Sequence, residues 1–329
     1  MILVTGGTGL VGAHLLLHLI ENGEKVRAIY RSGVSIEKTK SLFAIYKKES
    51  LLEQIEWISA DITDVPSLEI AFQNIDTVYH CAALISFDPK DEYLIRKTNI
   101  EGTANIVNFC LANSIQKLCF VSSIAALGDL APHEKLITEK TEWNPEKPHS
   151  DYAISKYGAE MEVWRGQQEG LPVVIINPGI IIGPGFWEQG SGKIFAKVKQ
   201  GLLFYTLGNS GFVAVTDVVR IASQLMKSDV HNKRFTLIAE NIVFRDIFNT
   251  IADSLSQKRP TVHAKPLLME IFWRIDWILS NIFMQKRKLA KAVAKASYSK
   301  NKYSNEKIKS MMNTPFLEIH QYIKTIANL

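Results

Sequence analysis

Residues 1–20 read MILVTGGTGLVGAHLLLHLI, and this stretch decides the fold. Residues 1–4 form an apolar run typical of a short buried strand, and residues 13–20 show helical periodicity. The turn between them carries Gly6, Gly7, Gly9 and Gly12. A strand, a glycine-rich turn and a helix in that order predict a cradle for the phosphates of a dinucleotide, because the helix N-terminus offers N–H groups and a positive dipole.

Composition indicates a globular chain of ordinary character. Its 329 residues are 47% hydrophobic and 22% charged, enough for one large domain with a smaller companion. The chain opens on the predicted strand and has no uncharged apolar run of membrane-spanning length, which predicts a cytoplasmic protein. Cys81, Cys110 and Cys119 lie in apolar runs without metal-ligand spacing, so we expect reduced, buried thiols and no metal site.

Positive charge is concentrated near the C-terminus. The net charge of +5 is modest, yet lysines and one arginine crowd residues 286–309, where Glu306 is the only acid. A solvated helical face is the favoured interpretation, and attraction of an anionic substrate, nucleic acid or lipid surface is the alternative. The segment does not match a recognised nucleic-acid module, so no nucleic-acid partner is expected.

Strand-like and helix-like segments alternate through the first half of the chain. This alternation predicts a doubly wound, mainly parallel α/β sheet of the Rossmann type, covered by helices on both faces. The predicted strands are residues 25–30, 55–59, 76–81, 116–122 and 171–177, and the predicted helices are residues 36–47, 66–72, 94–112 and 153–168.

Beyond residue 178 the pattern changes to loops rich in glycine and proline, followed by further helices. We predict a dinucleotide-binding domain over residues 1–178 and a smaller, mainly helical substrate-binding lobe over residues 179–329, with segments such as 212–239 returning to the sheet. The predicted elements here are helices at residues 216–227, 244–256 and 267–284 and a strand at residues 234–239.

The segment 267–284 carries a long apolar stripe at helical spacing, with Trp273 and Trp277 beside it. Packing in the core or in a lid is the favoured interpretation. Because basic residues follow the stripe, docking in a membrane interface is the alternative.

Tyr152 and Lys156 lie four residues apart at the start of a predicted helix, so both project from one face. A free phenol ionises near pH ~10, which is too high for efficient proton exchange at neutral pH. A neighbouring cation, assisted by an oxidised nicotinamide, stabilises the phenolate and lowers that pKa. This pair predicts a proton donor or acceptor for a carbonyl and alcohol couple.

The chain resembles the extended short-chain dehydrogenase/reductase family, in the branch that holds sugar-nucleotide epimerases, dihydroflavonol reductases and 3β-hydroxysteroid dehydrogenases. The resemblance covers nearly the whole chain, and its motifs occur in family order. They are TGGTGLVG at residues 5–12, DITD at 61–64, HCAA at 80–83, TNIEGT at 98–103, VSS at 121–123, YAISK at 152–156, NPG at 177–179 and FVAVTD at 212–217.

The resemblance implies roles for particular residues. Ser123 is expected to hydrogen-bond the substrate oxygen, Tyr152 to exchange its proton, and Lys156 to hold the nicotinamide ribose and depress the pKa of the phenol. Ser122 precedes Ser123 and competes for its role, and Asp61 has a helix cap as its alternative. The expected cofactor-binding residues are Gly6, Gly9, Leu10, Val11, Gly12, Arg31, Lys38, Asp61, Ile62, Ala82, Ala83, Lys156 and Pro178.

The end of the second predicted strand favours NADP over NAD. Enzymes of this fold that use NAD usually place an acid there to bind the ribose 2′-hydroxyl. This chain has Arg31 and Ser32 instead, and no acid before Glu37. A guanidinium matches a 2′-phosphate, and Lys38 adds a second charge. Stacking of Arg31 on adenine is the alternative.

Two departures bear on the substrate. Sugar-nucleotide members commonly carry an arginine before the proline that follows the sixth strand and another just before the FV motif, where this chain has Asn177 and Ser210-Gly211. The 4,6-dehydratases need an Asp-Glu pair where Ile124-Ala125 stands. Asn177-Pro178 and an aromatic C-terminal half are closer to the dihydroflavonol reductase pattern and suit a flat apolar carbonyl compound.

The sequence therefore predicts an oxidoreductase, dependent on NADP rather than NAD, that transfers hydride between nicotinamide C4 and a carbonyl or alcohol carbon of a small apolar substrate. A nucleotide-sugar epimerase and a binding protein that senses NADP(H) without turnover are the alternatives. Members of the family often pair through two long helices, so a homodimer is a further expectation.

Overall fold

The chain first builds a parallel sheet with its covering helices. The computed structural model describes residues 1–287, 289–312, 315–327 and 329. The strands and helices predicted before residue 178 are present, except that the helix predicted at residues 94–112 is divided. In chain order these elements are β1 (Ile2–Thr5), α1 (Leu10–Glu21), β2 (Val26–Tyr30), α2 (Gly33–Ile45), β3 (Ile55–Ser59), α3 (Val65–Ala71), β4 (Thr77–His80), α4 (Glu92–Arg96), α5 (Gly102–Ala112), β5 (Lys117–Val121), α6 (Asp151–Gln168) and β6 (Val173–Pro178).

The second half adds shorter strands and most of the remaining helices. The helices predicted at 216–227, 244–256 and 267–284 and the strand predicted at 234–239 are present. The elements are β7 (Ile180–Ile182), α7 (Gly192–Lys199), β8 (Phe204–Tyr205), β9 (Asn209–Ala214), α8 (Val215–Lys227), β10 (Lys233–Leu237), β11 (Glu240–Val243), α9 (Phe244–Ser254), β12 (Val262–His263), α10 (Pro266–Ile282), α11 (Lys291–Ala296), α12 (Glu306–Met311) and α13 (Ile319–Ile326).

The large sheet has seven strands in the order β10-β6-β5-β4-β1-β2-β3, and every neighbouring pair is parallel. Strand β1 lies in the interior, with Ile2 beside Val26 on one side and Thr77 on the other. Leu3 and Val4 point to opposite faces and enter separate hydrophobic clusters, so helices bury both faces. This is the predicted doubly wound fold, and its strand order reverses between β1 and β4, where such sheets open a crevice for ligands.

A second, three-stranded sheet of order β11-β9-β7 was missed by the sequence analysis. Of the segment 212–239, which we expected to return to the large sheet, residues 233–237 do so beside β6, whereas residues 212–214 lie in the small sheet. The chain leaves the large sheet at Gly179, and the helix α8 then provides the crossover that a parallel β10 requires. The division into domains 1–178 and 179–329 stays a prediction.

Residues 94–112 do not form the single regular helix that was predicted. Helices α4 and α5 are joined by a π-helical turn over Lys97–Glu101. A π turn widens one turn of the helix and occurs frequently at functional sites. Here it carries Asn99, whose contacts are described below.

The apolar stripe of α10 faces outward. Leu267 is 75% exposed and Ile282 67%, while Met269 and Ser280 are the buried residues of this helix. We expected this stripe to pack in the core or in a lid. That expectation is wrong for most of the stripe, because α10 packs inward through Met269 instead. No helix among the described residues is long and apolar enough to cross a membrane.

Candidate active site

The glycine turn between β1 and α1 has no room for a side chain at Gly6 or Gly12. Gly6 has φ of +70°, and a Cβ there would lie 2.6 Å from the backbone nitrogen of Ala82. A Cβ on Gly12 would lie 2.1 Å from the carbonyl oxygen of Gly6. At Gly9, the N-cap of α1, no side chain caps the helix, and its first turn holds no acid. These features fit the pyrophosphate of a dinucleotide, because the positive end of α1 is left for a phosphate.

Arg31 follows β2 at the predicted adenosine end of the site. Its side chain is 65% exposed, and its Nη1 lies 4.0 Å from Oδ2 of Asp61, which follows β3. The other carboxylate oxygen of Asp61 accepts hydrogen bonds from the backbone and the hydroxyl of Thr63, at 2.9 and 2.8 Å. Asp61 therefore closes its own turn, whereas the N-cap of α3 is Asp64. Lys38 lies on α2, partly buried.

The loop after β4 is held by a buried histidine. The hydroxyl of Thr103 donates to the carbonyl of Asn99 at 2.6 Å, so it accepts from His80 Nε2 at 2.9 Å. Thr5 in turn donates to His80 Nδ1 at 2.6 Å and accepts from the backbone nitrogen of Ala82 at 3.2 Å. Burial lowers the pKa of His80 to about 3, which agrees with a neutral ring. His80 has the structural role expected of it, and it fixes the position of Ala82 against the glycine turn.

Asn99 ties the same loop to the catalytic helix. Its Oδ1 accepts from the backbone nitrogen of Leu84 at 2.7 Å, and its Nδ2 donates to the hydroxyl of Ser155 at 2.9 Å. Ser155 donates onward to the carbonyl of Tyr152 at 2.8 Å. The π-helical turn thus connects the loop after β4 to the first turn of α6.

The two serines after β5 point in different directions. The hydroxyl of Ser122 donates to Oε1 of Glu160 at 2.6 Å, beneath the site. Ser123 caps the short turn that follows it, accepting from the backbone nitrogen of Ala125 at 3.1 Å, and its hydroxyl also interacts with Tyr152, which lowers the pKa of the phenol. Geometry therefore distinguishes the two, since Ser123 alone contacts the phenol.

Tyr152 lies in the first turn of α6, whose N-cap is Ser150. Its ring contacts Phe87 edge-on, with centroids 5.6 Å apart. Burial raises the pKa of Tyr152, and the hydrogen bond from Ser123 acts in the opposite direction. The lowered pKa that we expected of a phenol beside a cation is therefore not found in the protein alone, because desolvation of the phenolate outweighs that hydrogen bond.

Lys156 is 1% exposed, one turn further along α6. Its Nζ donates to the carbonyl of Val121 at 2.9 Å and lies 4.4 Å from the ring centre of Phe120. Burial lowers the pKa of Lys156 to about 8, and the negative charge of Glu160 opposes this shift. The ammonium is thus held at the carboxyl end of β5, on a residue one helical turn from Tyr152.

Glu160 is fully buried and was not singled out in the sequence. Its carboxylate accepts from Ser122, from the side-chain amide of Asn177, and from Nη1 of Arg234 at 3.2 Å. All three partners donate, which suits an ionised carboxylate, although burial raises its pKa. The amide of Asn177 also donates to the carbonyl of Ser123 at 3.0 Å. Glu160 therefore joins α6 to β10 directly beneath the residues of the site.

Most of the predicted site residues gather at one edge of the large sheet. Parallel strands end at the same edge, and each strand from β1 to β6 carries candidates at or just after its carboxyl end. Ile62 is buried against Gly102, so only its backbone is available to a ligand, whereas Ala83 is exposed. These residues are Gly6, Gly9, Leu10, Val11, Gly12, Arg31, Asp61, Ile62, Ala82, Ala83, Ser123 and Pro178, with Tyr152 and Lys156 brought alongside by α6.

Comparison with known proteins shows which family this chain is similar to. The family model described as the NAD dependent epimerase/dehydratase family matches residues 2–237. A putative dihydroflavonol 4-reductase from Synechocystis is 34% identical over 252 residues, covering 74% of this chain and 69% of the relative. Sterol demethylase protein B from Methylococcus capsulatus is 27% identical over 270 residues, covering 82% and 78%.

Among solved structures, UDP-glucose 4-epimerase from Thermotoga maritima aligns with a TM-score of 0.78 over 99% of this chain and 97% of that chain. The two chains are 20% identical, so this likeness concerns the fold. The alignment covers both β1 and β4, between which the strand order of the large sheet reverses.

Proposed function

This chain belongs to the NAD dependent epimerase/dehydratase family, the extended short-chain dehydrogenases/reductases, and is an NAD(P)-dependent enzyme; on that premise we propose that it is an NADP-dependent reductase of an apolar carbonyl compound. The observation that carries this proposal is the convergence of Ser123, Tyr152 and the buried ammonium of Lys156 at the carboxyl end of β5. We assign cofactor binding to residues 1–178 and most substrate contacts to residues 179–329.

In the proposed reaction, Tyr152 gives its phenolic proton to the carbonyl oxygen of the substrate as a general acid. The raised pKa of Tyr152 suits this role, because the phenol then carries its proton at neutral pH. Ser123 donates a hydrogen bond to the same oxygen, and the charge of Lys156 stabilises the phenolate that remains. Gly6, Gly12 and the first turn of α1 would hold the cofactor, which when bound supplies the hydride.

Several features favour an apolar substrate over a sugar nucleotide. Asn177 and Gly211 occupy the positions where sugar-nucleotide members commonly carry arginine. The amide of Asn177 is engaged with Ser123 and Glu160, and a Cβ on Gly211 would lie 2.3 Å from Ile238. Phe87, 40% exposed, borders Tyr152. A dihydroflavonol and a sterol, which the descriptions of the two relatives name, are both fused-ring compounds that carry no nucleotide.

Initial rates with NADPH and with NADH against a panel of aromatic and alicyclic ketones test the proposal. Net consumption of NADPH that requires a ketone supports it. Interconversion of UDP-sugars without net change of cofactor identifies an epimerase instead. Tight NADPH binding with neither activity identifies a nucleotide-binding sensor.

Cofactor choice is expected to depend on Arg31. Arg31→Ala should raise the KM for NADPH about tenfold or more, because a charge-assisted contact to the 2′-phosphate is lost. The KM for NADH should stay within about twofold, since NADH carries an uncharged 2′-hydroxyl in place of the phosphate. Arg96→Ala, which removes an exposed arginine paired with Glu92, serves as the control. An equal rise for both cofactors would contradict the assignment and indicate adenine stacking.

Activity should fall in mildly alkaline solution. The pKa of Lys156 is lowered to about 8, so its ammonium is lost as the pH rises through that value. Without this charge the phenolate left on Tyr152 is less stable, and kcat/KM for reduction should decrease about tenfold per pH unit above about pH 8. Stopped-flow or steady-state rates between neutral pH and pH ~10 measure the profile. A flat profile across this range would contradict the loss of the Lys156 ammonium near pH 8.

A further inference from the structure

The outward side of α10 is apolar. Six residues recur along the helix, most of them at intervals of three or four, and each is between 46% and 75% exposed. At 100° per residue they occupy a continuous stripe about 120° wide. We call them the outer face of α10: Leu267, Ile271, Ile275, Ile278, Leu279 and Ile282.

The charged residues of α10 lie outside this stripe and are engaged with neighbours. Glu270 accepts from Arg274 at 2.6 Å, and Asp276 forms an ion pair with Arg287. The opposite side of the helix packs inward through Met269, next to Ala264 and Ala294. A helix on a globular surface normally turns its apolar stripe toward the core, so α10 has the reverse arrangement.

Aromatic and apolar side chains extend the outer face beyond the helix end. Trp277, on a flank of the helix about 80° outside the edge of the stripe, is 51% exposed, and Phe283 and Met284, which follow the last residue of α10, are 62% and 89% exposed. Tryptophan concentrates at the boundary between water and lipid, because its ring is apolar and its N–H is polar.

Positive charge is concentrated in the segment that follows α10. Residues 265–309 contain eleven lysines and arginines and three acids, a surplus larger than the net +5 of the whole chain. Exposed lysines of this group lie just beyond the helix end and on the segment that packs behind it: Lys286, Lys291, Lys295, Lys300 and Lys302.

We propose that the outer face of α10 and its lysines dock on an anionic lipid bilayer, with the helix lying in the plane of the headgroups. An apolar face about 25 Å long with a basic flank is the pattern of an interfacial helix. A second copy of this chain is a poorer occupant, because pairing of two outer faces would bring two basic segments of like charge together.

The docked surface is connected to the candidate active site. The backbone nitrogen of Arg287, beyond the end of α10, donates to Oδ2 of Asp88 at 3.3 Å. Phe87, which immediately precedes Asp88 in the chain, contacts the ring of Tyr152. Docking therefore brings the loop beside Tyr152 close to the bilayer. The docking itself does not rest on the proposed reductase activity.

Co-sedimentation with sucrose-loaded vesicles tests the proposal on the full chain. We expect binding to vesicles of phosphatidylglycerol and phosphatidylcholine, at least about tenfold weaker binding to phosphatidylcholine alone, and loss of the difference at high salt. The triple variant Ile271→Gln/Ile275→Gln/Ile278→Gln should bind the anionic vesicles at least about tenfold more weakly. Circular dichroism establishes that the variant is folded.

A matched control removes equally exposed apolar side chains elsewhere. Ile70→Gln/Leu136→Gln/Leu317→Gln changes residues that are 57%, 40% and 45% exposed and should leave vesicle binding unchanged. The charge variant Lys286→Gln/Lys291→Gln/Lys295→Gln should weaken binding to anionic vesicles and reduce its dependence on salt.

Three results would overturn the proposal. The first is failure of the unaltered protein to bind anionic vesicles at low salt. The second is equal loss of binding in the α10 variant and the control variant. The third is a dimer in sedimentation velocity that the α10 substitutions dissociate, with no vesicle binding, which would assign the face to self-association. None of these measurements involves turnover.

Discussion

Tyr152→Phe is expected to lower kcat for carbonyl reduction about 10³-fold while the Kd for NADPH stays within about twofold. The phenol is the only group of the described site that both contacts Ser123 and lies one helical turn from Lys156. Its loss removes the proton donor, and the remaining binding contacts are unaffected. Single-turnover kinetics with NADPH in excess of enzyme, together with fluorescence titration of NADPH, separate the chemical step from binding.

Tyr157→Phe provides the matched control on the same helix. Its ring stacks on Trp143, with centroids 4.3 Å apart, away from Ser123. The control should keep kcat within about twofold, because no proton transfer is assigned to it. If Tyr152→Phe retained activity comparable to this control, the phenol would not be the proton donor, and a sensor of NADP(H) without turnover would become the better description.

Glu160→Ala is expected to lower the free energy of unfolding by about 3–5 kcal/mol. The substitution leaves Arg234, whose side chain is 19% exposed, without its carboxylate, and it removes the acceptor of Ser122 and Asn177. A charge and two donors left unpaired in the interior are costly. Denaturant unfolding followed by circular dichroism and tryptophan fluorescence measures the loss.

Glu162→Ala is the control for this stability effect. Glu162 is two residues away on α6 and pairs at the surface with Arg165, which keeps a second partner in Glu169. Its loss should cost no more than about 1 kcal/mol. An equally small cost for Glu160→Ala would show that the buried contacts contribute little.

The conservative variant Glu160→Gln distinguishes an electrostatic role from a purely structural one. Glu160 opposes the lowering of the pKa of Lys156, so removal of its charge should lower that pKa further. The alkaline decline of kcat/KM should then begin at lower pH than in the unaltered enzyme. An unchanged profile would restrict Glu160 to holding α6 against β10.

The parts of the fold that were predictable are those set by neighbouring residues. The turn at Gly6 and Gly12 was identified from the sequence because its backbone leaves no space for side chains. Glycine is therefore needed at these positions, and the whole signal lies within the first twelve residues. The small sheet was missed because β7, β9 and β11 are short, lie among glycines and prolines, and pair with partners far along the chain.

The missing parts of the site depended on distant contacts. Tyr152, Lys156 and Glu160 share one face of α6, and that spacing was visible, yet a glutamate in a helix is usually solvated. The charged partner of the buried Glu160 is Arg234, which lies 74 positions later in the chain. Likewise, the periodicity of α10 predicted an apolar stripe correctly but carried no information about which side of the helix the rest of the chain would cover.

The interior position of β1 has a consequence for how the molecule reaches its native state. Its first neighbour, β2, follows within a few tens of residues, but its second, β4, pairs Thr77 with Ile2 across 75 positions. Pairings between such remote segments close large loops and form slowly. During synthesis at the ribosome, one edge of β1 therefore stays open until residues 77–80 have emerged, and in this interval that edge is exposed to aggregation and to chaperones.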